Sequence, residues 1–218
     1  MKNLFNKRSV KLGIIYLLFM FTSLIIYFAS GNFTYRWIAV NLFLSCLPFV
    51  FATLAQKAKQ QKNKILHIIF IFIWLAFFPN APYMITDFIH TSYLGFNSYF
   101  VVVRDAFAWF GLVYMTLGIM LGILAGVSSL DIVVRPMFKT KGHSMATITV
   151  AVVSIMSGYA IYIGRFLRFN SWDLLTNPIN LVQTLVQEFE LFTVLFSLLF
   201  AACIAFIYLI FYILKGRE

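Results

Sequence analysis

The sequence predicts an all-α fold, a polytopic transmembrane helical bundle of about six spans. Three observations carry that prediction. Of 218 residues, 62% are hydrophobic and only 11% are charged, against roughly a quarter charged in an average soluble domain. A water-soluble fold has too few polar residues here to cover its apolar ones. The apolar residues also fall in runs near the roughly 20 residues that a 30 Å hydrocarbon core requires at 1.5 Å per residue. Finally, Lys and Arg sort to one side of the resulting topology, as cytoplasmic loops demand.

Five runs are uninterrupted, over 12–29, 37–55, 106–127, 144–163 and 191–214. The sixth, over 65–89, is apolar from Ile65 to Phe78, meets Pro79-Asn80-Ala81-Pro82, and resumes at Tyr83. Its first part makes about 21 Å of helix, short of the hydrocarbon thickness, so this third span is expected to break at membrane depth or at its edge. Pro79 cannot continue the hydrogen-bond ladder, and the residue before Pro82 is pushed away from helical geometry. Asn80 is expected to cap a new helix, with Pro82 in its first turn. Irregular backbone at that depth needs protein or a water-filled cavity around it, and broken helices of this kind line binding sites in transporters.

With the N-terminus inside, thirteen of the 17 basic residues lie on the cytoplasmic side: Lys2, Lys7, Arg8, Lys11, Lys57, Lys59, Lys62, Lys64, Arg135, Lys139, Lys141, Lys215 and Arg217. Only Arg36, Arg104, Arg165 and Arg168 lie opposite. Both termini are therefore expected in the cytoplasm. The net charge of +10 is read as topology, because the lysines flank apolar segments instead of interleaving with base-stacking aromatics, and no nucleic-acid partner is expected. No Ser/Gly/Pro-rich linker divides the chain, so residues 1–218 are read as one integral membrane domain. The first run is long enough to span and no small-residue cleavage site follows it, so it is expected to stay as an anchor. Cys46 and Cys203 lie in separate runs, away from any His at zinc-site spacing, and read as packed small hydrophobes; no metal and no cofactor are expected.

Asp87, Asp105, Asp173, Glu188 and Glu190 fall on the outer side, Asp131 and Glu218 on the inner. Charges near hydrocarbon are costly, so the few outer ones draw attention. Tyr83, Asp87 and His90 follow at spacings of four and three, sharing one helix face, with Thr86 beside them. The Asp87 and His90 pair fits an acid/base couple, a structural ion pair, or side chains facing headgroup water; two ligands do not close a metal site. Arg104 and Asp105 stand at the entrance of the fourth span and point about 100° apart. Arg165 and Arg168, followed by Asn170 and Asp173, form a fork suited to phosphate or carboxylate. The competing reading is that these arginines neutralise nearby aspartates or anchor to lipid phosphates. Asn177-Pro178 reads as a cap and helix start, with Leu181, Val182, Leu185, Val186 and Phe189 opposite Gln183, Gln187 and Glu188, predicting an outer interfacial helix before the last span. Gly118, Gly122 and Gly126 allow another helix to approach the fourth span closely.

The motifs Phe78-Pro-Asn-Ala-Pro-Tyr-Met-Ile-Thr-Asp87 and Gly164-Arg-Phe-Leu-Arg-Phe-Asn-Ser-Trp-Asp173 resemble those of a bacterial membrane-protein family, domain of unknown function 1361. The resemblance implies a multi-pass protein of the bacterial cytoplasmic membrane with uncharacterised activity, and it carries over no catalytic residue. Three functions fit the candidate cluster of Asn80, Tyr83, Asp87, His90, Arg104, Asp105, Arg165, Arg168, Asn170 and Asp173. One is a structural role or the binding of an anionic small molecule or lipid headgroup. The second is a membrane-embedded enzyme acting on a lipid or envelope precursor, with Asp87 or His90 as general base. The third is a small-molecule transporter, although no inverted repeat and no mid-span charge marks a path. No nucleotide-binding glycine loop, His-Glu-x-x-His motif or nucleophile elbow occurs. Membrane lipids are the partners this composition implies, and the sequence leaves substrate and oligomeric state open.

Overall fold

A computed structural model describes residues 7–96, 103–140, 142–169, 176, 179, 183–184 and 190–216. All regular structure among them is helical. In chain order the elements are α1 (Lys7–Ser30), α2 (Phe33–Gln60), α3 (Lys64–Phe77), α4 (Asn80–Tyr83), a 3₁₀ segment (Met84–Leu94), α5 (Ala106–Thr140), α6 (His143–Tyr162) running into a π-helical turn (Ile163–Leu167), and α7 (Leu191–Lys215). Six of the resulting helices are long and apolar enough to cross a membrane, over Lys11–Ser30, Phe33–Gln60, Lys64–Leu94, Ala106–Phe138, His143–Leu167 and Leu191–Lys215. The chain is a multi-pass membrane protein. Side chains such as Leu17, Phe28, Ile65 and Leu214 stand exposed around it, where a bilayer in place of water makes their exposure cost nothing.

Short turns make α1 and α2, α2 and α3, and α5 and α6 antiparallel neighbours. Asn32 caps α2 by accepting from the Thr34 N–H at 3.0 Å, and its amide donates to the Tyr93 carbonyl at 2.9 Å, tying the α1–α2 turn to the end of the 3₁₀ segment. Asn63 caps α3 through the Leu66 N–H, and His67 Nδ1 meets the Ala55 carbonyl at 2.9 Å across the α2–α3 corner. α2 packs on α1, α3 and α5, while α7 packs mainly on α6. The end of the bundle where α2 stops and α3 starts carries Lys57, Lys59, Lys62 and Lys64; it is called the lysine-rich end below.

The third span is interrupted where the prolines predict, and it is a change of helix type that absorbs the interruption. Phe78 and Pro79 form a turn with right-handed helical torsions, α4 adds one turn, and the chain then winds as 3₁₀ for 11 residues, where runs beyond three or four are uncommon. Asn80 does not cap the new helix as expected. Pro79 holds that position, and the Asn80 amide turns back to donate to the Phe77 carbonyl at 2.9 Å, while the Ala81 N–H, the donor to that carbonyl in a regular α-helix, bonds to the Phe78 carbonyl at 3.2 Å. Thr86 and Thr91 donate to the carbonyls three residues before them, at 2.8 and 2.9 Å, a local bond that competes with α-helical winding. Gly95, at φ 96°, ends the segment in the left-handed region that glycine enters without a Cβ clash.

The glycines of α5 make room for this segment. A Cβ at Gly126 would overlap Ala81, and one at Gly122 would overlap the Met84 sulfur, so the interrupted span lies directly on the glycine stripe. α5 also outruns its expected end, continuing as helix to Thr140 and carrying Asp131 into the bundle. The interfacial helix expected over 178–189 lies almost wholly outside the described residues.

Candidate functional site

A cavity of about 830 Å³ opens between α2, the third span and α6 toward the lysine-poor end. Its polar rim is built from elements far apart in sequence. The 3₁₀ winding supplies Asp87 and His90, since residues three apart eclipse one another in a three-residue turn. Tyr83 enters one turn earlier, from α4, with its ring against Gly164 of the π turn. Asn80, Arg165 and Arg168 complete the lining among the expected residues.

Asp87 is the buried member, only 4% exposed. Its Oδ2 accepts a 2.8 Å hydrogen bond from the Asn41 amide of α2, and no cation comes within ion-pairing distance of it among the described residues. Asn41 was not among the expected site residues, although one amide inside an apolar run was a visible signal, because a polar side chain in hydrocarbon must find a partner. Trp37 and Tyr159 also line the cavity and were likewise not singled out. The aromatic rings of His90 and Tyr93 lie 5.8 Å apart along the eclipsed 3₁₀ face.

The arginines arrive by an unusual backbone. α6 widens into the π turn that holds Arg165, and Arg168 follows in the left-handed region at φ 58°. A non-glycine residue there costs about 1 kcal/mol or more, and π turns recur at functional sites. Both arginines thus line one cavity. Arg165 lies close enough for its charge to act on both Asp87 and His90. Neither arginine makes an ion pair or hydrogen bond among the described residues.

Arg104 and Asp105 do not line this cavity. Both are exposed, and Asp105 caps α5 by accepting from the Phe107 N–H at 2.9 Å. Asn170 and Asp173 lie outside the described residues. Among the described residues no three His, Cys, Asp or Glu side chains gather as metal ligands.

A second polar cluster, unforeseen in the sequence, lies toward the lysine-rich end. Asp131, 2% exposed, pairs with Arg135 at 3.0 Å and with Lys215 of α7 at 2.7 Å, while the Tyr208 hydroxyl stands 3.5 Å from its other oxygen. Arg135 reaches on to the Gly216 carbonyl. With its carboxylate buried and paired with two cations, this cluster ties the end of α5 to the end of α7.

The family model described as protein of unknown function (DUF1361) matches residues 40–207. The chain belongs to the DUF1361 family. The DUF1361 match begins inside α2 and ends inside α7, so it takes in Asn41, the whole interrupted third span, α6 and the π turn. No curated protein and no solved structure matches this DUF1361 chain.

Proposed function

We propose that the protein binds an anionic ligand, a phosphate-bearing small molecule or lipid headgroup, in the cavity between α2, the third span and α6. The observation that carries this reading is charge allocation. The cavity's buried carboxylate is satisfied by an amide, Asn41, while Arg165 and Arg168 front the same space with no counter-ion among the described residues. An arginine fork matches phosphate or carboxylate oxygens through paired donors. His90 and Tyr83 add donors beside it. The lysine distribution supports placing this face outside the cell membrane and both termini in the cytoplasm.

Native mass spectrometry of the purified protein tests the reading. A co-purifying anionic ligand is expected on the native chain, with occupancy reduced at least about tenfold in Arg165→Gln/Arg168→Gln, since a charge-assisted hydrogen bond contributes about 1.5–3 kcal/mol. Equal occupancy in the native and doubly substituted chains would refute it. Asp87 favours a second reading, chemistry upon the bound ligand, because a buried carboxylate at a cavity is suited to proton transfer. In that case Asp87→Asn retains the ligand and stops its conversion.

A further inference from the structure

The cavity is larger and more apolar than a headgroup alone requires. Its polar side chains cluster at the lysine-poor end, whereas Leu44, Phe72, Leu75 and Met156 line the remainder. Along α2 the lining runs from Trp37 to Leu44, seven residues or about 10 Å of helix. The apolar part therefore reaches toward the middle of the hydrocarbon layer. α3 and α6, which form the two long walls, make little contact with each other; the closer packing of the third span on α6 is through the short α4. Phe72 is 58% and Met156 49% exposed while both also line the cavity, so between them the cavity has no outer wall.

From this slot we infer that the ligand is a phosphate-bearing amphiphile, which enters sideways from the bilayer and lays its hydrocarbon chain between α3 and α6 with its head on Arg165 and Arg168. This rests on the anion-binding reading above and adds the chain and the route. The energetics agree with the geometry. Moving a hydrocarbon chain from lipid into an apolar slot changes little, because lipid tails are as apolar as the slot. Affinity then comes from the head, where guanidiniums meet phosphate in a partly dehydrated site, and the slot selects by shape. A ligand entering sideways never has to bring its chain through water.

The test uses the full chain in phosphatidylcholine vesicles that carry a minor fraction of phosphatidic acid with a photoactivatable group in mid-chain, together with binding of soluble glycerol 3-phosphate. Cross-links are expected on Phe72 and Met156, reduced at least about tenfold in Arg165→Gln/Arg168→Gln. Ala160 and, on the facing wall, Ala76 also line the cavity, and Ala160→Phe or Ala76→Phe fills the slot; either is expected to abolish those cross-links while leaving glycerol 3-phosphate binding as in the native chain, which also reports that the variant is folded. Cross-links that ignore the arginine substitutions and spread over the exposed faces of α1 and α7 mark ordinary surrounding lipid and overturn the inference. Glycerol 3-phosphate binding without slot cross-links overturns it too, while leaving the anion-binding reading in place. Failure of the native chain to bind either phosphate probe removes both.

Discussion

Asp87 and Asp131 are equally buried aspartates with opposite neighbourhoods. Asp131 is neutralised by Arg135 and Lys215, whereas Asp87 holds one amide and faces an arginine across a cavity. Without the Asp131 carboxylate, Arg135 loses its paired acceptor while its Nη2 is already buried without a hydrogen-bond partner, which strands charge in the bundle. Asp131→Asn is therefore expected to lower the unfolding temperature of the detergent-solubilised protein strongly. Lys215→Met should be milder, since that side chain is 43% exposed and water screens it. Asp87→Asn preserves volume and the acceptor for Asn41, so its stability is expected to stay within about 1 kcal/mol. Unfolding midpoints of the three variants, measured side by side, check the ranking; Asp87→Asn unfolding before Asp131→Asn would contradict it.

At the scale of elements, small residues decide where helices meet. A Cβ at Gly158 of α6 would collide with the backbone carbonyl of Ser197 on α7, whereas one at Gly122 would meet mainly the far end of the Met84 side chain. Backbone cannot step aside as a thioether can. Gly158→Ala is expected to cost about 1–3 kcal/mol through overpacking and Gly122→Ala less, the difference appearing in thermal unfolding followed by circular dichroism. Local pattern foretold the glycine stripe and the interruption at Pro79. It did not foretell the 3₁₀ winding after Met84, because Asp87 and His90 at i,i+3 share a face in either helix type. Nor did it place Asn80: an asparagine before a proline-bearing turn can bond forward or backward, and here it bonds back to the Phe77 carbonyl.

For the whole molecule, the strongest expectation concerns sidedness. In a chain lacking Cys46 and Cys203, a cysteine at Gln61, on the lysine-rich corner, is expected to react with a membrane-impermeant maleimide only after cell lysis, and one at Ser92 in intact cells. Both positions are exposed. The reverse pattern would invert the topology and move the cavity to the cytoplasmic face.

By itself the sequence determined the helical class, six crossings, the position of the interruption and a short roster of polar residues near one end. Those properties depend on runs of about 20 residues and on local steric rules. Only the tertiary structure decided which polar residues share a space. It brought Asn41 of α2 onto Asp87, set Arg165 and Arg168 on the same cavity through a π turn and a left-handed residue, and left Arg104 and Asp105 outside. It also buried Asp131 beside two cations and left little contact between α3 and α6. Hydropathy has a period and a length but no partner, and which helix lies beside which depends on side-chain fit between segments distant in sequence.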